Sequence, residues 1–219
     1  MKELDPLSED NVFEDYYDVI YRAQYDEDVQ IKDPEGFMEW AARKVESAQE
    51  EFGMSPPAFF LFVLQLLRKK GIPYYTFLDE IKSKRILLLG VAELAKHDPE
   101  LLEDLLKKNL TILSIFKKLP SDMRKPFKDT LSIVARTEIG EMQYQALEAL
   151  SDLIYEDPDL MEFFYSLLHD WDDKVRHIVL KALAKQPNEE TKRRVKAIKY
   201  DENNENNLKL IEYILSYDG

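Results

Sequence analysis

Apolar residues recur along most of this chain at the period of an α-helix. In 174–185, Val175, Ile178, Val179, Ala182 and Leu183 fall at i, i+3, i+4, i+7 and i+8, one stripe on one helix. In 141–155, Met142, Ala146, Ala149, Leu150, Leu153 and Ile154 form a second stripe. The densest apolar stretch, 58–67, is broken only by Gln65 and falls far short of the ~20 residues that cross a bilayer, so it predicts a buried core helix. Helix starts are marked by acid-proline pairs: Asp33-Pro34-Glu35, Asp98-Pro99-Glu100 and Asp157-Pro158-Asp159. The first Asp can accept from free N–H groups of the opening turn, and Pro at the first helical position loses no hydrogen bond. The acid that follows faces the positive end of the helix dipole. Gly53 and Gly71 predict helix stops. The pattern predicts about eleven or twelve helices, most of roughly 10–18 residues, joined by short turns. No Asn-Gly or Asp-Gly turn lies between apolar runs, and six Gly argue further against a strand-rich fold.

The elements also repeat. Asp98-Pro99-Glu100-Leu101 matches Asp157-Pro158-Asp159-Leu160 at an offset of 59, and Met142, Leu147, Ala149 and Leu150 match Val175, Leu180, Ala182 and Leu183 at an offset of 33. Pro158 and Pro187, 29 apart, each predict a helix start. A two-helix unit of roughly 30–38 residues accounts for these spacings, and periods of that size mean stacked helical hairpins.

The run Leu168-His169-Asp170-Trp171-Asp172-Asp173-Lys174-Val175-Arg176, followed by Ile178-Val179-Leu180-Lys181-Ala182-Leu183, resembles the second helix of a HEAT repeat. In that family an Asp-rich turn leads into Val-Arg and then an Ala-Leu stripe. A looser match spans 139–153, with Gln143 where the family has Arg and Gly140 in the turn. The resemblance to the HEAT/armadillo superfamily implies an all-α fold, a short right-handed α-solenoid of antiparallel helix pairs. The expected organisation is an acidic, atypical N-terminal helical bundle or cap at 1–83 and HEAT-like repeats at 84–219, in one continuous domain.

Composition narrows the chemistry. The 219 residues include no Cys and three His, and no Gly-rich phosphate loop is present. Disulfides, thiolate metal sites and thiol nucleophiles are therefore excluded, and the expectation is no catalytic, cofactor-binding or metal-binding residue. Met1-Lys2-Glu3-Leu4-Asp5 carries no secretory signal, so a cytoplasmic chain without membrane association is expected. The net charge of −13 is concentrated: residues 1–53 hold 16 acidic and 5 basic residues, net −11, leaving −2 for the remainder.

The densest polar cluster is His169-Asp170-Trp171-Asp172-Asp173. One imidazole and three carboxylates suit a divalent ion or an acid–base step. However, His177 lies eight residues on, across the turn, and not at helical ligand spacing. The alternative is structural: one Asp caps the next helix and another pairs with Arg176. Asp170, Asp172, Asp173 and Arg176 are thus expected as inter-repeat structural residues, with Arg176 paired to a carboxylate of the preceding turn. Trp40, between Phe37-Met38 and Ala41-Ala42, is expected in the core. Trp171 is expected at the surface as a partner anchor.

Residues 105–136 carry Lys107, Lys108, Lys117, Lys118, Arg124, Lys125, Lys128 and Arg136 against Asp122 and Asp129, net +6. A second basic run is Lys192-Arg193-Arg194 with Lys196 and Lys199. Such clusters either neutralise phosphates, dock an acidic peptide, or form a solvated helical face. Lys117, Lys118, Arg124, Lys125 and Lys128, with Trp171, are the candidate partner-binding residues. Near the N-terminus, Phe13, Tyr17, Ile20 and Tyr21 predict one apolar face, either a terminal cap or an acidic docking helix. Opposite charge at 1–53 and 105–136 further predicts that the acidic segment screens the basic one.

Taken together these features favour a non-catalytic scaffold or adaptor that binds another macromolecule, a protein before a nucleic acid, through a helical-repeat surface. The alternatives are a HEAT-like DNA-binding protein or alkylpurine DNA glycosylase-type enzyme, disfavoured by the acidity, and a purely structural or oligomerising unit.

Overall fold

The computed structural model of the protein describes residues 15–25 and 27–217, and every regular element among them is helical. The chain divides into two compact units, one ending at Gly90 and the other beginning at Val91. No described helix is long and apolar enough to cross a membrane.

In the first unit the helices are α1 (Tyr16–Gln24), α2 (Pro34–Lys44), α3 (Ala48–Phe52), α4 (Pro56–Lys69) and α5 (Tyr75–Glu80); α6 (Lys84–His97) follows. The apolar stretch at 58–67 lies inside α4, which buries Phe59, Phe60, Val63, Leu64, Leu66 and Leu67 while Gln65 faces outward. Burying six large apolar side chains at ~1.5–3 kcal/mol each makes α4 the main apolar element of this unit. Helix α2 packs on α5, and α3 on α4. Trp40 of α2 meets the rings of Tyr16, Tyr17, Phe37 and Phe52 at centroid distances of 5.0–6.0 Å, and Phe52 stacks on Phe59 at 5.0 Å. Gly53 and Gly71 adopt positive φ at the ends of α3 and α4, as helix stops require.

The buried face of α1 differs from the stripe expected of it. Val19 and Ile20 are buried, whereas Tyr21 is exposed and Phe13 lies outside the described residues. Tyr17 sits at the edge, its ring against Trp40 and its hydroxyl donating to Glu51 Oε2 at 2.6 Å. A phenol can hold such a boundary because only its tip needs a polar partner.

The second unit contains α7 (Pro99–Lys108), α8 (Leu110–Phe116), α9 (Ser121–Arg124), α10 (Lys128–Thr137), α11 (Glu141–Leu150), α12 (Pro158–Ser166), α13 (Asp173–Leu183), α14 (Glu189–Ile198) and α15 (Glu205–Ser216). The acid-proline signals are helix starts in both units. Asp33 accepts from Gly36 N, Asp98 from Leu101 N, and Asp157 from Asp159 N and Leu160 N. Pro187 is not at a first helical position; Asn188 caps α14 and accepts from Thr191 N at 2.8 Å. Several helices are shorter than the periodicity predicts. Asn109 both closes α7 and caps α8, accepting from Ile112 N at 2.9 Å, and α11 stops at Leu150 although Leu153 and Ile154 beyond it remain buried. Helix α7 packs on α8 and α10, α8 and α10 on α11, α11 on α13, and both α13 and α14 on α15. The α13 stripe of Val175, Ile178, Val179, Ala182 and Leu183 is buried throughout.

Candidate functional site

In the Asp-rich turn before α13 the carboxylates serve the backbone and neighbouring turns. Asp170 accepts from Asp172 N at 2.9 Å, and Asp172 caps α13 through Lys174 N at 2.9 Å while accepting from the Tyr144 hydroxyl of α11. Asp173 accepts from Asn204 Nδ2 at 2.7 Å. Among the described residues, no group of three His or carboxylate side chains is placed to hold a metal ion. Trp171 stands out from this turn, 83% exposed.

Arg176 corrects one expectation. Its carboxylate partner is not in the preceding turn but in the one between α14 and α15: Nε and Nη2 donate to Glu202 at 2.8 and 2.9 Å. The preceding turn supplies backbone carbonyls instead, those of Asp170 at 2.8 Å and Trp171 at 3.2 Å, both accepting from Nη1. Asp170 and Asp172 are committed to local N–H groups and Asp173 to Asn204, and Arg176 reaches the longer, buried Glu202. Glu202 also accepts from Asn203 N, Asn204 N and Asn207 Nδ2. The Arg176 guanidinium, helped by the Asn204 N–H and Asn207 amide, lowers the Glu202 carboxyl to about 2 against its desolvation. Fully buried Asn207 extends the network, with Nδ2 donating to the Asp173 carbonyl as well. Both amide hydrogens being used, Oδ1 accepts, and His177 Nδ1–H is its donor at 2.9 Å.

The basic run divides into two groups. Arg124 is only 4% exposed; it donates to the Ala149 carbonyl and pairs with Asp152 at 2.8 Å. Lys125 pairs with Glu156 at 2.9 Å, and Lys128 with Asp157. These three cations tie the α9–α10 region to the turn between α11 and α12. The carboxylates that meet them belong to the same unit, at 152–157. In the second run Arg193 and Arg194 pair with Glu190, Arg194 also with Glu162, and Lys192 with Glu189.

Lys117 and Lys118 lie elsewhere. They line a groove of about 320 Å³ together with His177, Lys181 and Lys185 of α13 and its end, with Ile178 and Ala182 also lining it. Glu148 of α11 is the groove's one carboxylate and pairs with Lys117. Lys185 pairs with Asp152, whose carboxyl is held below the ordinary range by Lys185 and then Arg124 despite desolvation. Lys118 and Lys181 are exposed and make no ion pair among the described residues. Charge runs read locally miss His177, Lys181 and Lys185, which are spaced four apart along α13 and just past its end. The available signal is the period, since Lys117 and Lys181 are 64 residues apart, two steps of 32.

The long-range polar links of this unit keep a narrow spacing. Lys117–Glu148, Arg124–Asp152, Tyr144–Asp172, Tyr155–Ala182, Arg176–Glu202 and Asn204–Asp173 join positions 31, 28, 28, 27, 26 and 31 apart. No protein-family model matches the chain, and no curated protein matches it.

Proposed function

We propose that the second unit is a short HEAT-like stack of helical hairpins and that the protein is a non-catalytic scaffold that binds a protein partner on this stack. The observation that carries this reading is the recurrent step of the polar links, each joining one helical pair to the next. The succession α8, α11, α13, α15 supports it, because each of these helices packs on the next and would form one row of such a stack. The partner is a protein rather than a nucleic acid because the net charge is −13 and Arg124, Lys125 and Lys128 are already held by carboxylates.

The test places a photo-crosslinking residue at exposed Lys181 and, as a control, at exposed Lys196. A crosslinked protein is identified, purified and titrated against the full chain by calorimetry. The expected result is a protein adduct at position 181 that rebinds in purified form. Nucleic-acid adducts, or no adduct that rebinds, would contradict the scaffold reading.

A further inference from the structure

The groove between α8, α11 and α13 has a charge pattern that asks for an occupant. Four lysines and a histidine surround about 320 Å³, against the single carboxylate of Glu148. Ammonium groups gathered this closely repel one another unless anions intervene. Glu148 relieves Lys117, and Asp152 relieves Lys185. Lys118 and Lys181 remain without such an anion among the described residues, at the same groove. We propose that this groove docks a short acidic segment of a protein partner, whose Asp or Glu carboxylates pair with Lys118 and Lys181 as Glu148 pairs with Lys117.

Three features choose this occupant. The volume sits at the lower end of the ~300–1,000 Å³ typical of ligand clefts, enough for a few side chains and not for a duplex. Lysine presents a compact charge on a flexible stem and so accepts carboxylates at varied angles, without the planar fork by which Arg selects bidentate partners. Ile178 and Ala182 form the groove's floor but are already buried, 6% and 1% exposed, so the occupant is held by its carboxylates at the lysine rim and not by apolar contact. The assignment rests on the scaffold reading and specifies the chemistry of its partner.

The test is fluorescence anisotropy on the full chain with a labelled peptide of alternating Glu and Leu, its Gln/Leu counterpart and a short DNA duplex, each at two salt concentrations. The native chain is expected to bind the Glu peptide most tightly, with affinity falling as salt rises. Lys118→Glu with Lys181→Glu should weaken that binding by about tenfold or more. Lys118→Gln with Lys181→Gln should weaken it less, and Lys196→Glu should leave it unchanged. Circular dichroism checks that each variant is folded; if the Glu pair unfolds, the Gln pair decides. Tighter binding of the duplex, no preference for Glu over Gln, or equal loss in the Lys196 variant would overturn the groove assignment. The variants also separate the two readings. A protein partner that rebinds the folded double variant as tightly as the native chain removes the groove and leaves the scaffold standing.

Discussion

The two units solve the same problem, holding short helices together, with different chemistry. The first centres on one aromatic cluster, Trp40 with Tyr16, Tyr17, Phe37 and Phe52. Its polar links span irregular distances: Tyr16–Asp33 joins residues 17 apart, Tyr17–Glu51 34 and Lys70–Asp28 42. The second has polar links that join positions 26 to 31 apart, and the Arg176–Glu202–Asn207 network is a largely buried instance. A cluster concentrates stability in a few residues, whereas a ladder spreads it over rungs of unequal burial. The difference teaches that an aromatic cluster gathers elements at unequal separations along the chain, whereas links of one narrow spacing tie each element to the one 26 to 31 positions on.

The largest effect is expected where the cluster is cut. Trp40→Ala removes a ring touching four others and should cost about 3 kcal/mol. Hydrogen exchange should then rise across 16–69 and not across 117–207; a uniform rise would erase the distinction between the units. Arg176→Ala leaves the buried Glu202 carboxylate unpaired and should cost up to about 3 kcal/mol at neutral pH. Glu202 is lowered from 4.5 to about 2, so its contribution is complete above pH 4.5 and is lost as pH falls toward 2. The gap in urea midpoint between the native and Arg176→Ala chains should therefore narrow over that window. A gap independent of pH would show that Glu202 is not its source.

A smaller effect reverses a usual sign. Gly→Ala inside a helix ordinarily gains up to about 1 kcal/mol. A Cβ at Gly90 in α6, however, would overlap the buried Phe60 ring. Gly90→Ala should instead destabilise by about 1–2 kcal/mol, read as a lower midpoint in thermal denaturation. The smallest effect tests the outer rungs of the ladder. Lys125 and Glu156 are both more than half exposed, so Lys125→Ala should cost less than about 0.5 kcal/mol. A larger cost would mean that exposed rungs carry more of the second unit than burial allows.

Local signals were readable and distant ones were not. Asp33, Asp98 and Asp157 announce their helices because a cap and its recipients lie within three residues. The all-helical class follows from the periodic stripes for the same reason. Glu202 carries no such mark: within Asp201-Glu202-Asn203-Asn204 it reads as one more polar loop residue, and only Arg176, 26 positions away, gives it a buried role. Charge located Lys117 and Lys118 but equally drew attention to Arg124, because net charge over a segment does not distinguish an exposed cation from one 4% exposed. Trp171 was legible as a surface residue since its neighbours are all polar or charged.

Charge reversal across the groove tests the central claim most directly. The chain carrying Lys118→Glu and Lys181→Glu is titrated with a peptide of alternating Lys and Leu, beside the native chain and the Glu/Leu peptide. Docking through these two positions predicts exchanged preferences, the reversed chain favouring the Lys peptide and the native chain the Glu peptide. A folded reversed chain that binds the Lys peptide no better than the native chain does would contradict the claim.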